Sequence, residues 1–112
     1  MKKKTDIENE LDRYYYASLE LTRLNAELSF MANHKQDRLN ILPSLIAREY
    51  KIIEEITNLI ERAELDEREF EYIRLRHFEQ NNLVQIEFKM FLSQRTIGRA
   101  REAALKKLKA AL

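Results

Sequence analysis

The sequence predicts an all-α fold, and three observations carry that prediction. One Gly and one Pro in 112 residues leave few places where strands could turn. Apolar residues recur at steps of three and four along most of the chain. The commonest residues, Glu, Lys, Arg, Leu, Ala and Ile, are those that lose little entropy in a helix. A chain of this length suffices for one compact domain, or for a small domain with a helical appendage. The expected architecture is an N-terminal long helical hairpin over residues 1–64, a segment for dimerisation or partner binding, followed by a three-helix region over residues 65–112 with a helix-turn-helix.

The first helix is read from Ile7 to Met31, where Ile7, Leu11, Tyr14, Ala17, Leu21, Leu24, Leu28 and Met31 form a narrow apolar seam. Polar residues then gather in Asn33-His34-Lys35-Gln36-Asp37-Arg38, and Pro43 cannot lie inside a helix without removing a hydrogen bond. A break is therefore expected between Asn33 and Pro43, with the second helix starting near Pro43-Ser44. That helix runs to about Glu64 on the wider stripe of Leu45, Ile46, Ile52, Ile53, Ile56, Leu59, Ile60 and Ala63. Neither stripe can be buried by its own helix, so the two are expected to fold back on each other or to pair with another copy.

Shorter helices are expected after Leu65: Asp66 to about Phe78 with Asp66 as its cap, Leu83 to about Met90 after the polar turn Gln80-Asn81-Asn82, and Ser93 to the C-terminus. In the last of these, Ile97, Ala100, Ala104, Leu108 and Ala111 define the apolar face.

With no Cys there is neither a disulfide framework nor a thiolate metal site, and His34 and His77 lie too far apart to form a local metal motif. No cofactor or metal is expected. No apolar run approaches the roughly 20 residues that span a bilayer, and Met1-Lys2-Lys3-Lys4 leads into Thr5-Asp6-Ile7-Glu8 rather than an apolar stretch. The reading is a cytoplasmic protein with no membrane partner. The net charge of +1 conceals its distribution. Residues 1–64 sum to −2 and residues 65–87 to −3. Residues 88–112 carry Lys89, Arg95, Arg99, Arg101, Lys106, Lys107 and Lys109 against Glu102 alone, a balance of +6 that suits a polyanion.

Residues 83–97 have the layout of a helix-turn-helix: a short helix with Ile86 and Met90 inward, a tight turn, then Ser93, whose hydroxyl can accept a bond from an unpaired N–H of the next helix. Residues just after such a cap meet base edges. Gln94, Arg95 and Arg99 are thus candidate base readers, since Gln pairs two-pronged with adenine and Arg with guanine. Ser93 and Thr96 are assigned to phosphate, and Arg101, Lys106, Lys107 and Lys109 to the DNA backbone where the helix axis allows. A solvated basic face is the plainer reading of the same residues.

Leu65-Asp66-Glu67-Arg68-Glu69, Ile73-Arg74-Leu75-Arg76-His77-Phe78, Gln85-Ile86, Ser93-Gln94-Arg95-Thr96-Ile97 and Ala104-Leu105-Lys106-Lys107-Leu108 together resemble region four of bacterial sigma factors. That module reads the promoter −35 element. The resemblance covers about residues 65–108. Residues 1–64 do not look like the rest of a sigma factor, and a free-standing module of this kind behind a helical segment is similar to phage late-gene activators of the ArpU and RinA type. The resemblance implies a promoter as target and host RNA polymerase as partner. Two residues depart from the pattern: Glu87 replaces the usual small Ala, and Phe91 replaces the turn glycine, where a bulky side chain meets a steric penalty at positive φ. Gly98, inside the recognition helix, either admits a close approach of the DNA backbone or is simply tolerated at about 1 kcal/mol.

His77 is read as a capping or packing residue and His34 as connector, because no nucleophile or acidic partner stands at a suggestive spacing. The acidic run from Asp66 to Glu71 is a helix start, not a catalytic pair. Tyr14-Tyr15-Tyr16 fan over about 200° of helix surface, as an interface or as two core rings and one surface ring. Leu19, Phe30, Ile41 and Leu42 lie off the seams and suggest a partner surface. The function expected is sequence-specific transcription regulation, with no enzyme activity and no small-molecule substrate. Expected partners are double-stranded DNA, host RNA polymerase and, through the N-terminal helices, a second copy. The alternatives are a phage DNA-packaging subunit, small terminase-like, and a helical protein-interaction adaptor that does not bind DNA.

Overall fold

The computed structural model describes residues 4–31 and 36–112, with side chains from 4 to 30 and from 40 onward. Its described residues form helices only: α1 (Asp6–Met31), α2 (Gln36–Ala63), α3 (Glu67–Ile73) continued by a π-helical turn (Arg74–Phe78), α4 (Leu83–Met90) and α5 (Gln94–Ala111). The expected connector residues Asn33, His34 and Lys35 lie outside the described residues, as does the Met31 side chain.

α1 is launched by a reciprocal cap of the Ser/Thr-x-x-Glu kind. The Thr5 backbone N–H donates to Glu8 Oε1 at 3.0 Å, and the Glu8 N–H donates to Thr5 Oγ1 at 3.3 Å. The expected seam holds, with Leu11, Ala17, Leu21 and Leu24 buried. α1 packs on α2, but α2 does not start where expected. It begins at Gln36, and Pro43 lies inside it. Pro43 is exposed and Leu42 beside it is fully buried, so packing of this stretch offsets the hydrogen bond that a proline cannot make. Leu42 is therefore a core residue and not part of a partner surface, whereas Leu19, Phe30 and Ile41 are exposed.

Glu64, in the left-handed region at φ 51°, turns the chain into α3. Asp66 caps α3 as expected, and Glu69 closes the box: the Glu69 N–H donates to Asp66 Oδ1 at 2.8 Å and the Asp66 N–H to Glu69 Oε1 at 2.9 Å. The expected single helix to Phe78 instead widens at Arg74 into a π turn. Asn81 stabilises its end, with backbone and side-chain N–H groups both donating to the Leu75 carbonyl at 2.9 Å. The turn carries His77 into the interior, and Phe78 stacks on Tyr14 with ring centroids 4.0 Å apart. Tyr16 is mostly exposed and meets Tyr15 edge-on.

One core unites the chain. Leu11 of α1 and Ile56, Leu59 and Ala63 of α2 share a hydrophobic cluster with Tyr72, Ile73, Leu75, Ile86, Ile97, Ala104 and Leu108. The change of character read at residues 64 and 65 is thus a turn of the backbone across a continuous core. α5 lies mainly against α2 and α3 and only lightly against α1 and α4, so its orientation is set chiefly by α2 and α3.

Candidate nucleic-acid interface

α4 ends at Phe91, in the left-handed region at φ 56° and ψ 39°. The turn has kept the geometry that favours glycine with a phenylalanine in place, and the ring is 87% exposed, so its packing does not offset the strain. Ser93 then caps α5 as expected: the Thr96 N–H donates to Ser93 Oγ at 3.3 Å, and the two hydroxyls lie 3.1 Å apart. Both hydroxyls, assigned to phosphate from the sequence, are thus engaged in the cap itself.

Ile97, Ala100, Ala104 and Leu108 face the core. Turning about 100° per residue then places Arg95, Arg99, Lys106 and Lys109 on the far side of α5. All four are exposed, as is Gln94 in the first turn. At about 1.5 Å per residue, they form a net positive ridge roughly 20 Å long that starts beside the cap, with the exposed Glu102 as the one carboxylate of α5 on that face. Among the described residues no helix covers this first turn: Ser93, Gln94 and Arg95 are all exposed.

Arg101 and Lys107, assigned from the sequence to the DNA backbone, do not project from the ridge; both pair with carboxylates of the chain. The Arg101 guanidinium is gripped two-pronged by Glu8, Nε to Oε2 at 3.1 Å and Nη2 to Oε1 at 2.6 Å. Lys107 Nζ donates to Glu69 Oε1 at 2.6 Å. These side chains leave α5 on its two flanks, toward α1 and α3, where carboxylates already held by helix caps receive them. They orient the helix; they do not extend its charged face.

Sequence reasoning missed the polar knot beneath this flank. His77 is fully buried, with Nδ1 2.7 Å from Asp12 Oδ1 and Nε2 3.5 Å from Glu8 Oε2, the latter beyond a normal hydrogen bond. Gln80 Nε2 and Lys4 Nζ complete the Asp12 carboxylate at 2.8 and 2.7 Å. Burial on its own would raise the Glu8 carboxyl, but the neighbouring imidazole, the Arg101 guanidinium and the Thr5 N–H hold it far below the usual carboxylate range. Asp12 is likewise lowered against its burial by Lys4, His77 and Gln80. Tyr72, at the same junction, is pushed up to about 12 by burial and then by the Glu8 charge. The Asp12 to His77 pairing spans 65 residues, so no local spacing could signal it. The knot buries its imidazole, though Lys4 at its edge meets solvent, and among the described residues it holds no Ser, Cys or Thr hydrogen-bonded to that ring. Its geometry is that of a joint between α1 and the π turn.

Beside the knot a cavity of about 400 Å³ opens along α5, with Lys4, Arg76, Arg101 and Glu8 among its lining and Gln94 and Gly98 forming one wall. Among the described residues no group of His, Cys, Asp and Glu is arranged to hold a metal ion, and no helix is long and apolar enough to cross a membrane. Comparison with protein-family models, with curated proteins and with solved structures finds no match.

Proposed function

We propose that this chain is a sequence-specific regulator of transcription that binds double-stranded DNA by placing α5 in the major groove. The observation that carries this reading is the exposed ridge of Arg95, Arg99, Lys106 and Lys109, which begins at an uncovered, Ser93-capped first turn. A helix of about 10–12 Å diameter fits a groove about 12 Å wide, and residues near its N-terminus are those that reach base edges. Arg95 and Arg99 are the base readers in this reading, Lys106 and Lys109 the phosphate contacts, and Gln94, expected as a reader, stands on the flank of the first turn beside the strand backbone. The sigma-like character of residues 65–108 supports host RNA polymerase as a partner and a phage or prophage promoter as the target. The exposed Leu19, Phe30 and Ile41 of the N-terminal helices offer the surface for a second copy of the chain.

The test is a binding selection from randomised duplex DNA with the wild-type chain and with the Arg95→Ala, Arg99→Ala double variant. The wild type should enrich one motif, and its affinity should fall steeply with salt, by about 0.9 logarithmic units per decade of salt for each phosphate contact. Loss of two base-reading arginines should cost at least tenfold in affinity, as each good two-pronged pair is worth about 1–3 kcal/mol, and should relax the motif. An unchanged motif in the double variant would remove the arginines as readers, and salt-insensitive binding would remove DNA.

A further inference from the structure

We infer that Gly98 and the cavity beside it form a seat for the sugar-phosphate backbone of one DNA strand, the strand that flanks α5 on its Gln94 side. The inference rests on the proposed DNA-binding function and adds to it a contact surface outside the charged ridge.

The argument begins with where the chain places its one glycine. Three turns need a residue in the left-handed region, and they are filled by Glu64, Gln80 and Phe91, each at a φ between 51° and 56°. All three positions would accept glycine without strain. The glycine instead sits in the first half of α5, with helical φ, where it costs about 1 kcal/mol against alanine. Nothing among the described residues requires it there, because a Cβ built on Gly98 meets none of their atoms within 4 Å. Neither backbone conformation nor internal packing accounts for the missing side chain, so the space it leaves serves something outside the chain.

The position of that space identifies the occupant. Gln94, Gly98 and Arg101 lie along one flank of α5, about 60–120° round the helix from Arg95 and about 100–160° from Arg99. A helix in the major groove has a strand backbone along each flank, so the flank bearing Gly98 faces sugar and phosphate while the ridge faces base edges. The missing side chain at Gly98 narrows the helix at that point and lets the backbone approach its main chain. The charge of the cavity agrees: Lys4, Arg76 and Arg101 line it against Glu8 alone. Arg101 is committed to Glu8 and Lys4 to Asp12, whereas Arg76 donates from Nη1 to the neutral Asn81 carbonyl at 3.0 Å. A guanidinium has five N–H donors in a planar fork, so Arg76 has further donors for a phosphate oxygen.

The test uses the full chain and a fluorescent duplex carrying the motif enriched by the wild type, or a mixed-sequence duplex should none be enriched. Gly98→Ala should raise the thermal midpoint by roughly 4 °C, since the new methyl meets nothing and the helix gains propensity. Gly98→Leu should stay folded and weaken duplex binding about tenfold, a loss comparable to one mismatched base pair. Gly98→Ala should weaken it in the same direction, by less. Arg76→Gln should lower the salt slope by about 0.9. Ala47→Leu, on an exposed face of α2, should bind as the wild type. Binding of Gly98→Leu within twofold of the wild type overturns the seat, while Arg95→Ala, Arg99→Ala losses in the same assay keep the DNA reading intact. Failure of the wild type itself to bind either duplex overturns the DNA reading, and the seat with it.

Discussion

Glu8 at the start of α1 and Glu69 at the start of α3 perform the same pair of tasks in different surroundings. Each stands three residues after its cap and accepts the cap's backbone N–H, Thr5 at 3.0 Å and Asp66 at 2.9 Å. Each also takes one cation from a flank of α5. At Glu8 the cation is an arginine held two-pronged with 18% of its side chain exposed; at Glu69 it is a single lysine contact with 42% exposed. Both carboxylates are buried, so the difference lies in the cation and its hydration. The same motif thus forms a buried joint at α1 and a partly hydrated clasp at α3. A fixed, desolvated guanidinium fork contributes more than a mobile ammonium facing water.

The contrast is sharpest when each carboxylate is removed. Glu8→Ala leaves Arg101 half-buried without its anion and strips His77 of one neighbour, and removing one partner of a buried pair costs about 3–5 kcal/mol. Urea unfolding should show a loss of about 3 kcal/mol, a large share of the 5–15 kcal/mol typical of small domains. A loss below 1 kcal/mol would show that the two junctions do not differ in kind.

Acid should open the α1 junction. Glu8 and Asp12 have folded-state pKa values below their ordinary ones, so their contribution to stability is complete above the unfolded carboxylate range, near pH 4, and is lost as pH falls through the lowered values. The helical signal of the wild type in moderate urea should therefore decline below about pH 4. Asp12→Asn, already deprived of one such group, should show a shallower decline. Parallel curves for the two proteins would detach the pH dependence from this site.

The contrast between the two junctions also separates what the sequence could reveal from what it could not. Helix identity, the Asp66 and Ser93 caps and the limits of α4 follow from local spacing, because caps and seams are set within one or two turns. The Thr5-Asp6-Ile7-Glu8 box is equally local, a Thr followed three residues later by Glu at the head of an apolar seam. Pro43 misplaced the start of α2 because a proline on an exposed face, beside a buried Leu42, is outweighed by tertiary packing. The His77 knot and the binding of Arg101 and Lys107 were not legible, since their partners lie 65, 93 and 38 residues away and only the shared core brings them together. Composition gave seven cations in the tail. Only the fold divides them into a ridge of four, two anchors on α5, and Lys89, which bonds Asn81 from α4.

At the α3 junction the effects are smaller. Glu69→Ala removes the reciprocal cap along with the lysine clasp, and loss of a cap costs about 1 kcal/mol. Urea unfolding should place it well below Glu8→Ala, and an equal loss would mean that burial of the cation is not what distinguishes the junctions.

The smallest effect belongs to Lys107 itself, and it bears on DNA as well as stability. Lys107→Met should barely move the unfolding midpoint, because an exposed ammonium exchanges its carboxylate for water at little net cost. Its neighbour Lys106 points along the exposed ridge, whereas Lys107 turns about 100° away toward Glu69. Lys106→Met should therefore lower the salt dependence of duplex binding by about 0.9, while Lys107→Met should leave it unchanged. Adjacent lysines of equal formal charge would then differ in DNA binding solely by the face of the helix from which they project. Equal slopes for the two variants would show that Lys107 leaves Glu69 for phosphate when DNA arrives, and that the clasp at α3 is one the bound duplex can undo.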